Sequence, residues 1–239
     1  MIGIGLGSVA ASSSDNGIVA SGLKLHLDAG QLRSYSGSGT AWNDLSGSSA
    51  NFTLNNGPTF ISDKGGAIVF DGSDDIAVGP ASNSLGLGSD HTIELIIKPT
   101  QAVGGATFKF GGTGAYENRG IFAHTPYFDG YYYDTPAGSR VSFIDSGLIN
   151  VISHFVFRRR VGTTPRQEIY RNNVQRANSG SNTLNTLTLN TDPIYLGKNS
   201  PSIAEAFKGN IYVFRVYDRA LTDTELTQNF NATKVRFGL

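Results

Sequence analysis

Residues able to carry out chemistry are sparse in this chain, and their spacing limits what it can do. Retaining cleavage of a glycosidic bond needs two carboxyl groups about 5 Å apart, one attacking and one donating a proton. On an extended segment such a pair stands two or four residues apart on one face. Glu94 is followed by Leu95, Ile96, Ile97 and Lys98, so it has no companion, and Glu117, Glu168, Glu205 and Glu225 are equally alone. Asp74 and Asp75 are adjacent and on a strand would face opposite sides. His26, His91, His124 and His154 are scattered, without the HExxH spacing of a zinc site, and each reads as a strand residue bonded to a neighbour. Cysteine is absent, which removes disulfides, thiolate metal sites and thiol nucleophiles together. The expectation is a protein that is not an enzyme.

Other groups could bind rather than react. The run DGSDD at 71–75 offers hard oxygen ligands at turn spacing, and Asp71, Asp74 and Asp75 are the candidates for calcium. Asp and Gly also build turns without any metal, and the run lacks the length and terminal Glu of a helix-loop-helix calcium site. The stretch YFDGYYYDT at 127–135 is the densest in aromatic residues. An exposed tyrosine joins an apolar ring to a polar tip and suits a sugar, so Tyr127 and Tyr132, with Arg119, are the candidate ligand-binding residues. Alternation supplies a competing reading, with Tyr131 and Tyr133 in the core and only Tyr132 outside. The RRR run at 158–160 reads as a strand emerging into solvent.

The elements that must position these residues are short strands. The chain has 239 residues, with 30 Gly and 14 Phe against a single Met, a balance that suits strands and turns better than helices. The segment GLKLHLDAG alternates Leu23, Leu25 and Leu27 with Lys24, His26 and Asp28, and HTIELIIKP at 91–99 ends at a proline. Further strands are predicted around 65–75, 106–110, 120–123, 127–133, 151–158, 166–171, 193–197 and 211–217, with Asn172 and Asn173 at a tight hairpin turn. In the last of these strands, Tyr212, Phe214 and Val216 take one face and Ile211, Val213, Arg215 and Tyr217 the other. Thr222 and Glu225 then form a capping box, with Leu221 and Leu226 placed to staple across it. One or two helical turns are predicted beyond, with Leu226 and Phe230 as the apolar side. One antiparallel sandwich domain is the expectation.

Lys plus Arg and Asp plus Glu are 19 each, so no net charge draws the chain to nucleic acid or an anionic membrane. No apolar run approaches the roughly 20 residues of a membrane span. The start, MIGIGLGSVAASSSDNG, carries no Lys or Arg before its apolar stretch and is poor in helix formers, which argues against a cleaved leader. Residues 1–20 are expected to be an anchoring arm held by a neighbouring subunit, and residues 21–239 the domain.

The order GLKLHLDAG, SYSGSGTAWNDLSG, FDGSDDIAVG, HTIELIIKP, IYRNNVQ, IYLGK and FKGNIYVFRVYDRALTDTELTQNFNATKVRFG resembles the laminin G-like, concanavalin A-like jelly-roll family, in particular single-domain members from structural modules of tailed bacteriophages. The resemblance spans roughly residues 17–237. It implies an all-β, two-sheet antiparallel jelly roll of a dozen or more strands with a short C-terminal helix covering one end. It further implies recognition of host-surface glycans or partner proteins, sometimes with calcium. The corresponding role is a virion structural protein, a capsid decoration, neck or tail appendage, on the virion surface and in a homo-oligomer, joined to other virion proteins through residues 1–20. A secreted or cell-surface carbohydrate-binding module is the alternative. Some members of the wider superfamily are glycoside hydrolases, and the missing carboxylate pair argues against that activity here.

Overall fold

The alternation at 91–99 becomes the strand His91–Pro99, with the bounds read from the sequence. In the computed structural model it lies beside the strand Lys208–Tyr217 at the centre of an eight-stranded sheet. The structure describes residues 17–101, 105–110, 119–124, 127–132, 141, 143, 145–163, 167–178 and 189–239; in the strands Arg119–His124 and Tyr127–Tyr132 and at residues 203 and 204 it describes the backbone alone.

Beyond His91–Pro99 the sheet continues through Ser153–Arg159, Gln167–Arg171 and the edge strand Val174–Asn178. On its other side Lys208–Tyr217 pairs with two strands. Its first residues meet Ala67–Asp71, which in turn carries Thr59–Ile61, and its last ones meet Leu23–Asp28. The hairpin between the two outermost strands turns at Asn172 and Asn173, with φ of 50° and 62°. Those left-handed angles are tolerated by Asn and twist the turn to match the strands.

Two five-stranded sheets form the facing layer. One runs Ala41–Trp42, Phe52–Asn55, Ile76–Ala81, Pro193–Leu196 and Phe108–Lys109. The other runs Tyr127–Tyr132, Arg119–His124, Gly105–Ala106, Ile203–Ala206 and Lys198–Ser200. Pairing is antiparallel except where Ile203–Ala206 meets Gly105–Ala106 in parallel. That approach is close: a Cβ on Gly105 would stand 1.9 Å from the Ala206 carbonyl oxygen, so only glycine fits. The core between the layers contains Leu25, Leu27, Trp42, Phe52, Phe70, Leu95, Phe108, Phe155, Phe157 and Phe214, all buried. The molecule is the mostly-β sandwich of the expected fold class.

The central strand differs from a simple alternation. A β-bulge lies between Ile211 and Val213, so Ile211 joins Phe214 and Val216 in the main core. Tyr212 and Val213 instead pack together on the outer face with Ala67, Ile96 and Phe237. The extra residue inverts the phase, which alternation alone could not show.

The C-terminal helix, Asp223–Phe237, has 15 residues rather than one or two turns, and it lies on the outer face of the eight-stranded sheet rather than at an end. Its capping box is present in both directions, and Gly238 closes it in a left-handed conformation with φ of 72°. Leu221 and Leu226 share one apolar cluster across the cap. The buried side is Leu226, Asn229, Thr233 and Phe237, of which two are polar and invisible to an apolar pattern. No helix among the described residues is long and apolar enough to cross a membrane.

Of the expected arm, residues 17–20 pack on the domain's own helix: the Val19 amide donates to Asn229 Oδ1 at 2.8 Å and Gln228 Nε2 donates to the Gly17 carbonyl at 2.8 Å. Residues 1–16 lie outside the described residues.

Candidate functional site

The acidic run occupies the turn between Ala67–Asp71 and Ile76–Ala81. It folds back because Asp71 Oδ1 accepts the Ser73 amide at 2.7 Å and Asp75 Oδ2 accepts the Asp71 amide at 2.8 Å. From the neighbouring loop, Asn56 Nδ2 donates to the Asp74 carbonyl at 2.9 Å. One carboxylate oxygen from each of Asp71, Asp74 and Asp75 lies within 4.8 Å of the others, with Asp71 and Asp74 exposed and Asp75 buried. Burial pushes the Asp75 carboxyl above its ordinary pKa, and the charges of Asp71 and Asp74 push it further, partly opposed by the Asp71 amide. Three crowded oxygens that repel in this way suit a hard divalent cation, for which backbone carbonyls would complete the shell.

The aromatic candidates fall on the strands Arg119–His124 and Tyr127–Tyr132, which pair with each other. Arg119 stands opposite Tyr132, and Tyr127 opposite His124. The topology therefore places Arg119 and Tyr132 at one register position and Tyr127 at the other end of the pair. The side chains of Arg119, Tyr127 and Tyr132 lie outside the described residues, as does Tyr133.

Of the isolated glutamates, Glu94 and Glu168 lie on the outer face of the eight-stranded sheet, Glu205 on Ile203–Ala206 and Glu225 in the helix, while Glu117 lies outside the described residues. Glu94 is buried beneath the helix, where Asn229 Nδ2 donates to its Oε1 at 2.9 Å and Arg215 Nη1 donates to its Oε2 at 3.3 Å. His154 Nε2 stands 3.9 Å from the same carboxylate, and its ring stacks on Phe230. Burial pushes the Glu94 pKa up, yet His154, Arg215 and Asn229 outweigh it and hold the carboxyl below its ordinary value. So enclosed, Glu94 serves as an internal ion-pair partner.

The arginine run does not emerge into solvent. Arg158 and Arg159 are buried, and only Arg160 is part-exposed. Arg158 binds Glu168 through Nε at 2.8 Å and Nη2 at 3.0 Å, the Leu221 carbonyl at 2.7 Å, Tyr170 Oη at 2.6 Å and Asp223 Oδ1 at 2.6 Å. Arg159 donates to the Ser89 carbonyl. The strand keeps its charges inside because Glu168, its register partner, faces the same side. The signal that could have revealed this is the register of Ser153–Arg159 against Gln167–Arg171, which sets Arg158 opposite Glu168.

A model of the concanavalin A-like lectin/glucanases superfamily matches residues 70–227. No curated protein matches the sequence. Among solved structures, Trypanosoma rangeli sialidase is similar with a TM-score of 0.65 at 16% identity, over 90% of this chain and 33% of that one. The chain thus spans about a third of the sialidase's length. The binding domain of Paraclostridial Mosquitocidal Protein 1 is similar with a TM-score of 0.69 at 17% identity, over 88% of this chain and 52% of that one. Domain 4 of AbnA, an extracellular arabinanase from Geobacillus stearothermophilus solved in complex with arabinotriose, has a TM-score of 0.59 at 19% identity, over 88% of this chain and 98% of that one. At these identities the likeness is one of fold.

Proposed function

Because the chain belongs to the concanavalin A-like lectin/glucanase superfamily, we propose that it is a non-enzymatic attachment protein, a lectin-like sandwich that adheres to glycans on a host surface as a structural component of a phage virion. One observation carries the non-enzymatic part. Among the described residues, Glu94 and Glu168 are held in buried ion pairs, and the acidic residues that gather near solvent do so in a turn with the spacing of a cation site. The binding face is assigned to the strand pair carrying Arg119, Tyr127 and Tyr132, and calcium to Asp71, Asp74 and Asp75. Attachment to other virion proteins is assigned to residues 1–20, in a homo-oligomer whose many copies multiply weak contacts. Particles lacking the protein test the role: reduced adsorption or reduced particle stability supports it, and both unchanged would sink it.

A second reading is a secreted or cell-surface carbohydrate-binding module. It is favoured by the likeness to domain 4 of AbnA, which this chain covers over 98% of that domain's length. Glycan-array binding by the monomer, together with removal of the first residues in the mature protein, would select it over the virion role. Release of reducing sugar by the parent protein would instead establish a hydrolase.

A further inference from the structure

The C-terminal helix rests on the outer face of the eight-stranded sheet, and its seat combines two small apolar clusters with a chain of charged groups. None of its residues belongs to the large core between the layers; Leu226 and Phe237 each join a small separate cluster. Polar contacts hold it along its length. At its start Asp223 meets Arg158 and Glu225 meets Arg219, each at 2.6 Å. Midway Asn229 donates to Glu94 at 2.9 Å and to Tyr217 Oη at 3.0 Å. At its end Arg236 meets Asp28 at 2.7 Å and donates to the Lys64 carbonyl at 2.7 Å. The same element holds the start of the domain, through Val19 on Asn229 and Gly17 on Gln228, while Arg219 donates to the Ser21 carbonyl at 3.1 Å.

We infer that this helix is an acid-releasable latch: protonation of the carboxylates in its seat lets it lift from the sheet, with residues 17–21, while the sandwich remains folded. Every packed element contributes to the balance. Glu94 faces Arg215 and Tyr217 from one neighbouring strand, His154 from the other and Asn229 from the helix. Asp28 faces Arg236 from the helix and Arg215 from the adjoining strand. Arg158 joins Asp223 to Glu168 and Tyr170, and Arg219 joins Glu225 with Asp218 nearby. The arginines keep their charge at any working pH, so protonating the acids leaves cations crowded under the helix without partners.

The direction follows from the carboxyl groups. Burial raises Asp28, but Arg236 outweighs it and the folded value lies below the ordinary 3.8. Glu94 also lies below its ordinary 4.5, and the hydrogen bond from Arg219 holds Glu225 down to about 2. Acids with depressed folded values contribute stability above their unfolded values and lose it as pH falls through the folded ones. The latch therefore weakens below about pH 4. The core between the layers is built of apolar side chains that do not titrate at acid pH.

Amide hydrogen exchange, corrected for the chemical rate at each pH, reads this directly. At about pH 3 the amides of 226–237 and of Val19 are expected to lose protection about tenfold or more relative to neutral pH, while those of His91–Pro99 keep theirs. Trp42, fully buried in the facing layer, should keep its emission through the same transition. In Asp223→Asn with Glu225→Gln, both of whose side chains reach solvent, release should move to higher pH. Joint loss of strand and helix protection at one pH, retention of both, or a release pH unmoved in the double variant overturns the inference.

Discussion

Arg158 shows what an isolated residue can conceal. Its guanidinium nitrogens are all engaged, by Glu168, Tyr170, Asp223 and the Leu221 carbonyl. Planar bidentate pairing with Glu168 explains why arginine occupies the position. Removing Arg158 leaves buried Glu168 with only the part-exposed Arg160 at 2.9 Å, so Arg158→Met should lower the unfolding free energy by about 3 kcal/mol in urea titration. Its immediate neighbours conceal this, because three consecutive arginines read as a wet surface until strand register supplies an acid opposite. The acidic turn is the opposite case, since the crowding of Asp71, Asp74 and Asp75 follows from their spacing alone. Asp75 has a folded pKa above its unfolded one, so the metal-free turn loses stability as pH rises from about 4 through that value. Calcium at about 100 times its dissociation constant should restore about 2.7 kcal/mol at neutral pH. Calorimetry with and without chelator checks it, and a Tm indifferent to millimolar calcium in the parent protein removes the assignment.

Elements were legible where packing is apolar on one side and obscure where polar groups do the packing. His91–Pro99 was found with its bounds because Ile93, Leu95 and Ile97 face the core and a proline ends the ladder. The strands Ile76–Ala81, Val174–Asn178 and Lys198–Ser200 escaped because glycine, proline, Gln, Asn and Lys give no alternation. The helix start was clear from Thr222 and Glu225, yet its length was not, since its buried side continues through Asn229 and Thr233. Asn229 joins the helix to Glu94, to Tyr217 and to the Val19 amide at once. Asn229→Leu keeps roughly the volume and removes all these bonds, leaving buried groups unpaired. A stability loss of about 2–3 kcal/mol is expected in denaturant unfolding. A neutral substitution would mean that the helix is held by its apolar contacts and its terminal ion pairs without Asn229.

At the scale of the whole molecule, the proposed attachment and glycan-binding residues fall on different layers of the sandwich. The outer face of the eight-stranded sheet is occupied by the helix and by residues 17–20, so Gly17 lies on that side. The strand pair Arg119–His124 and Tyr127–Tyr132 lies in the facing layer. Attachment through the first side would leave the second free to meet a glycan. Shallow β faces that hold sugars through a few rings and hydrogen bonds bind weakly one at a time, and many copies on one particle multiply the effect. The purified domain is therefore expected to bind an immobilised polysaccharide weakly as a monomer and about 10²–10⁴-fold more tightly when displayed in many copies on a bead. Tyr132→Ala should remove most of both signals if its ring is the platform, with the unfolding midpoint unchanged. Since Glu94 is enclosed by Arg215, His154 and Asn229, no reducing sugar should appear during the binding assay. Sugar release by the parent protein would overturn the non-enzymatic reading even if binding were confirmed.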